Sequence, residues 1–187
     1  MAIGHDPTEL VADADVLMNL MASGCAEEIL STLRLTLVVP PAVADEAIYI
    51  EVAGRGSERQ AIDLSPLGAA GLVAVASVDA TELDLVVDLA TLVDDGEAEA
   101  IAIAEVRQLA VATDDRKARR IATERSVALS STPELLQAWQ RVGQIAMPRL
   151  SALLRSIERR SRYRPPRDHP LFNWWSECAD STPEEQP

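Results

Sequence analysis

Cysteine, histidine and aromatic residues are all scarce in this sequence: its 187 residues include two cysteines, two histidines, three tryptophans, two tyrosines and one phenylalanine. Cys25 and Cys178 have no Cys or paired His beside them at metal-ligand spacing, which argues against a zinc knuckle and a disulfide framework. A reducing cytoplasm is the expected compartment. With so few aromatics the core must be built from Ala, Val, Leu and Ile, and a chain of this length can bury one without staples. Long apolar runs are missing too: Leu67 to Val78 is about half of the roughly 20 residues that a membrane span needs. The N-terminus carries no basic segment followed by an apolar stretch, so neither a secretory signal nor a membrane partner is expected. With 48% apolar and 25% charged residues, the bulk of the chain reads as neither disordered nor fibrous.

The net charge of −13 argues on its face against a nucleic-acid partner, but the average hides a division. Residues 1–106 hold 3 basic and 20 acidic side chains, residues 107–167 hold 14 basic and 5 acidic, and the remainder holds 5 acids and no base. Acids and bases are therefore segregated along the chain.

Short apolar runs alternate with longer helical ones, the pattern of an α/β protein with a mostly parallel sheet. Strands are expected at Leu10 to Ala14, Thr36 to Val39, Leu72 to Val78 and Ala110 to Thr113, with a further edge strand at Val127 to Leu129. Helices are expected from Val16 to Leu33 with a break near Gly24, from Ala42 to about Val52, and from Thr81 as cap to about Val93. Ser65 to Gly71 reads as a loop, and Asp94, Asp95 and Gly96 as a turn. Glu97 to Leu109 is apolar around most of its circumference and so reads as a buried helix. A basic helix from Arg116 to Arg125 and two closing helices, Thr132 to Arg141 and Ile145 to Arg160, complete the series. Beyond about residue 165 the composition predicts an extended, weakly ordered tail in which Leu171 to Trp175 either packs back or docks a partner.

Carboxylates stand where a buried parallel strand should be apolar. Asp13 and Asp15 end the first strand, at the edge where open α/β sheets bind ligands. An isolated buried carboxylate costs several kcal/mol, as an order of magnitude, unless donors or a cation meet it. Asp15 alone can be a helix cap. Glu46 shares a helical stripe with Val43, Ala47 and Ile50, while Asp45 lies on another, and periodicity does not choose between them. Glu97 opens the next acidic helix beside its neighbour Glu99. Asp114 and Asp115 follow the fourth strand and could equally cap the basic helix. Four such clusters on one parallel sheet can converge, and all-oxygen ligation suits Mg²⁺ or Mn²⁺.

The segments VADADVLMNL, VVPPAVADEA, DDGEAEAIAIA and VATDDRKARRIA, in that order over about residues 9 to 125, resemble the PIN-domain nucleases, the fold of many bacterial VapC-like toxin ribonucleases. The resemblance implies a PIN-like catalytic domain over residues 1–130, a helical extension over 131–165 packing on it, and the tail at 166–187. It further implies that Asp13, Glu46, Glu97 and Asp115 are catalytic. Asp13, Glu97 and Asp115 would hold the metal with Asp114 adjacent, Glu46 would orient or deprotonate the attacking water, and Asn19 would hydrogen-bond within the site. Arg116, Lys117, Arg119 and Arg120 would draw RNA phosphates. Products would carry 5′-phosphate and 3′-hydroxyl ends, and a cognate antitoxin and a homodimer are the implied partners. Two other classes remain open: a PIN-like subunit that binds a partner or RNA without cutting, and a phosphohydrolase of the haloacid-dehalogenase type, suggested by the spacing of Asp13 and Asp15. The latter needs a supporting lysine and a later acidic loop, and the single lysine, Lys117, does not stand in such a pattern.

Overall fold

The computed structural model describes residues 8–45, 49–51 and 59–181. Strand β1 (Thr8–Ala12) leads into helix α1 (Ala14–Ser23), which ends at Gly24 in the left-handed region, a conformation glycine adopts without strain, before α2 (Ala26–Leu33). There follow β2 (Leu35–Val39), the short α3 (Pro41–Asp45), β3 (Tyr49–Glu51), β4 (Arg59–Ala61), α4 (Ser65–Ala69) and β5 (Val73–Val75). Next come α5 (Ala80–Leu89), α6 (Asp95–Arg107), β6 (Ala110–Ala112), α7 (Arg116–Glu124) and β7 (Leu129–Ser130). Helices α8 (Thr132–Gly143), α9 (Met147–Arg160) and α10 (Phe172–Asp180) complete the order.

Five strands form one parallel sheet in the order β5-β2-β1-β6-β7. Alternation along its strands divides the core in two. Leu10, Ala12, Leu37, Val39 and Ala112 face a cluster containing α1, α2, α8, α9 and Trp175 of α10. Val11, Val38 and Val111 face the other, filled by α5, α6 and α7. Both faces of the sheet are covered, which is why the strands read as unbroken apolar runs. Helix α6 is buried as its composition predicts, with Ala98 and Ala100 through Ala104 all inaccessible.

Several local readings need correction. The helix expected from Ala42 to about Val52 is described only as Pro41–Asp45, and within its expected range Tyr49–Glu51 instead pair antiparallel with Arg59–Ala61. Tyr and Ile suit a pleated strand at least as well as a helix, and pairing satisfies their backbone. The third sheet strand stops at Val75 because its partner β2 stops at Val39, ahead of Pro40, which has no N–H to offer a ladder. Ser65 to Gly71 contains α4 rather than loop alone, with Pro66 in its first turn. Residues 172–180 are helical instead of extended, because Trp175, Cys178 and Ala179 bury themselves against the core.

The cap of α5 is Asp79 rather than Thr81: its carboxylate accepts from the Thr81 and Glu82 N–H groups, and Glu82 accepts in return from the Asp79 N–H. The Glu82 side chain is wholly buried and takes a bidentate contact from Arg107, 2.6 Å at Nε and 3.1 Å at Nη2. That guanidinium holds the Glu82 carboxyl below its usual range. Replacing Arg107 with Met therefore strands a buried carboxylate, and is expected to cost about 2 kcal/mol at neutral pH. Because the folded-state pKa is depressed, the difference from wild type should shrink as pH falls through the carboxylate range, a trend read by denaturant melts at pH 7 and pH 4.

Candidate active site

The parallel order sets the C-terminal ends of β1 and β6 side by side, and the backbone N–H of Asp13 donates to the Ala112 carbonyl at 3.1 Å. Asp13 follows β1 directly and caps α1, accepting from the Val16 N–H at 2.8 Å. It is only 4% exposed. The cap is thus Asp13, and the exposed Asp15 is free to line a cleft of about 140 Å³ with Asp13, Val43, Asp94, Gly96 and Glu97.

Helix α6 supplies the opposite acids. Its cap is Asp94, accepting from the Glu97 N–H at 2.8 Å, so the expected turn is the helix start and Glu97 sits in its first turn. Glu99, two residues on, accepts from the Ala42 N–H at 2.8 Å and pins the start of α3, which brings Val43 to the cleft.

The two acids after β6 divide their work. Asp115 caps α7, accepting from the Lys117 and Ala118 N–H groups at 2.7 and 2.8 Å. Asp114 turns inward: Oδ1 accepts from the Thr132 N–H at 3.0 Å, and Oδ2 accepts from the Thr132 hydroxyl at 2.5 Å and from Asn19 Nδ2 at 3.0 Å. Thr113, buried between β6 and these acids, accepts from the Asp115 N–H at 3.2 Å through its hydroxyl.

Burial, reinforced by the charges of Asp114 and Asp15, pushes the Asp13 carboxyl up to about 8. Burial, with Asp94 and Asp115, pushes Glu97 up to about 7. Asp15 is raised by burial and by Asp114, Asp115 and Asp94, and Asp114 is raised by burial against the bonds it accepts. Among the described residues no ion pair reaches any of these acids. They repel one another, and among the described residues no cation neutralises them.

Beside the cleft lies a larger groove of about 340 Å³, lined by Arg116, Arg119 and Arg120 of α7, by Pro166, His169 and Pro170, and by Asp114. Lys117 is exposed and not part of this groove.

A family model described as DUF3368, a PIN domain, matches residues 9–168. The chain belongs to the PIN-domain family. No curated protein and no solved structure matches it.

PIN domains are generally nucleases and typically use divalent metals. The donor set in this PIN domain fits a hard cation: oxygen ligands only, desolvated and mutually repelling, at the strand ends. Among the described residues no three acids are set closely enough to hold an ion as they stand. Glu46 lies outside the described residues. The structure brings Asp13, Glu97 and Asp114 to one end of the sheet, and Asp115 adds its charge to Asp15 and Glu97 while serving α7 as cap. Asn19 holds Asp114. Sequence reasoning passed over Asp94, Thr113 and Thr132, since acids at helix starts have an ordinary use and hydroxyls distant in sequence carry no pattern.

Proposed function

We propose that this PIN domain is a metal-dependent endoribonuclease of the VapC-like toxin type, acting on RNA in the cytoplasm and held in check by a cognate antitoxin, with the homodimer as its working form. The observation that carries the reading is Asp13: a carboxylate inaccessible to water at the end of the central strand, beside Asp15, Asp94 and Glu97, without a cationic partner among the described residues. Asp13, Glu97 and Asp115, with Asp114 adjacent, would hold Mg²⁺ or Mn²⁺. A bound cation of this kind supplies charge neutralisation at the scissile phosphate and lowers the pKa of an attacking water. The chain's own residues do the rest. Asn19 and Thr132 fix Asp114, the Val16 N–H fixes Asp13, and the resemblance gives Glu46 the task of orienting or deprotonating the water. Arg116, Lys117, Arg119 and Arg120 draw the RNA backbone toward the acidic cleft.

The test is a melting series with a cleavage assay. Millimolar Mg²⁺ or Mn²⁺ is expected to raise Tm by several degrees over the chelated protein, with the shift growing as ion concentration rises. The same ions should support cutting of single-stranded RNA to 5′-phosphate ends, and chelation should stop it. No shift and no cutting would favour the non-catalytic subunit.

A further inference from the structure

The groove beside the acidic cleft has two chemically different walls. One is α7, which contributes three guanidinium groups. Arg119 is prearranged, its Nη1 donating to the Thr113 and Ser130 carbonyls at 3.0 and 2.8 Å. The side chains of Arg116 and Arg120 are largely exposed. The other wall, from the segment after α9, is apolar at Pro166 and Pro170 and carries His169.

The imidazole of His169 has both nitrogens committed. Nδ1 accepts from the Leu171 N–H at 3.0 Å, so the proton resides on Nε2, which lies 3.3 Å from the Ser131 hydroxyl. What the ring can offer a ligand is its flat face. An aromatic face and prolines opposite a row of guanidinium groups make a receptor for a planar heterocycle that carries a phosphate.

A carboxylate already occupies the anionic position. Asp168 Oδ2 lies 2.9 Å from Arg116 Nη2 in a pair whose two side chains are 57% and 77% exposed. An ion pair so open to water is worth little and is readily exchanged. Resting on the ribonuclease reading above, we infer that this groove seats one nucleotide of the RNA strand next to the scissile phosphate. The base lies on the His169 and proline wall, and its phosphate displaces Asp168 from Arg116. Asp114 lines the groove and accepts from Asn19 of α1, the helix that Asp13 caps beside the cleft, so a strand in one reaches the other.

Binding of a short labelled single-stranded RNA to the full chain in chelator, followed by fluorescence anisotropy over a salt series, tests this. Arg116→Ala should weaken binding several-fold and reduce the slope of log affinity against log salt by about one. Asp168→Asn should do the reverse and tighten binding several-fold, because it removes the phosphate's competitor. A competing oligonucleotide with abasic sugars should be several-fold poorer than RNA. Unchanged or weaker binding by Asp168→Asn, an unchanged salt slope for Arg116→Ala, or equal competition by the abasic strand each overturns the assignment. Absence of cleavage by the wild type in Mg²⁺ and Mn²⁺ would defeat the ribonuclease reading while leaving these binding shifts in place. Intact cleavage without the shifts would defeat the groove alone.

Discussion

Asp13→Asn should cut RNA about a thousandfold more slowly than the wild type, yet fold to a protein at least as stable. The two halves of this expectation have separate causes. Asparagine keeps a side-chain oxygen for the Val16 N–H, and it caps a helix as well as aspartate does. It removes a charge that burial and the neighbouring acids disfavour, so the metal-free fold gains. The loss of activity follows from removing an anionic oxygen at the point where the cleft meets the central strand.

The same charge sets a pH trend. Asp13 moves from an ordinary 3.8 to about 8 in the folded protein, so the folded state binds more protons than the unfolded one between those values. Stability in chelator is therefore greatest below about pH 4 as far as this group is concerned, and is lost as pH rises toward about 8. Denaturant melts across that range should slope downward for wild type and more gently for Asp13→Asn, leaving the part due to Glu97. Cleavage by Asp13→Asn at the wild-type rate would remove Asp13 from the chemistry.

Trp175→Ala is the second large effect, with an expected loss of about 3–5 kcal/mol in unfolding free energy. Trp175 is wholly buried, meets the Tyr163 ring edge-on at 5.6 Å, and donates from Nε1 to Glu158 at 2.9 Å. Truncation removes that packing and leaves a void facing α1 and α9. Tyr163 loses its ring partner as well, so the segment after α9 that lines the arginine groove should loosen with α10. Urea denaturation with a parallel rate measurement separates the two. An unstructured tail would show neither effect.

The framework was legible because its signals are local. β-branched runs marked the central strands, and the all-round apolar face of α6 marked a helix inside the protein. Acids at strand ends marked the edge where the structure gathers Asp13, Asp94 and Glu97 around one cleft. What stayed hidden depends on partners far along the chain. Whether Asp13 or Asp15 caps α1 cannot be read from spacing, since both lie at one strand-to-helix junction, and the answer comes from which carboxylate the fold buries. Asp114 and Asp115 are adjacent, and among the described residues Thr132 and Asn19 draw the first inward while the second stays on its helix. The tail misled for a related reason. Its prolines, arginines and acids suggested solvent, but Trp175, Cys178 and Ala179 supply an apolar stripe once α9 offers a surface.

The strand order has a consequence for how the molecule is made. β1 leaves the ribosome early, and its neighbour β6 only much later, with Thr132 of α8 later still. Until those arrive, Asp13 has no companion acid from β6 and Asp114 has no clasp. A half-synthesised chain therefore lacks the assembled cluster of acids, and of two separately expressed fragments divided between α6 and β6 neither would hold both Asp13 and Asp114 until they are mixed.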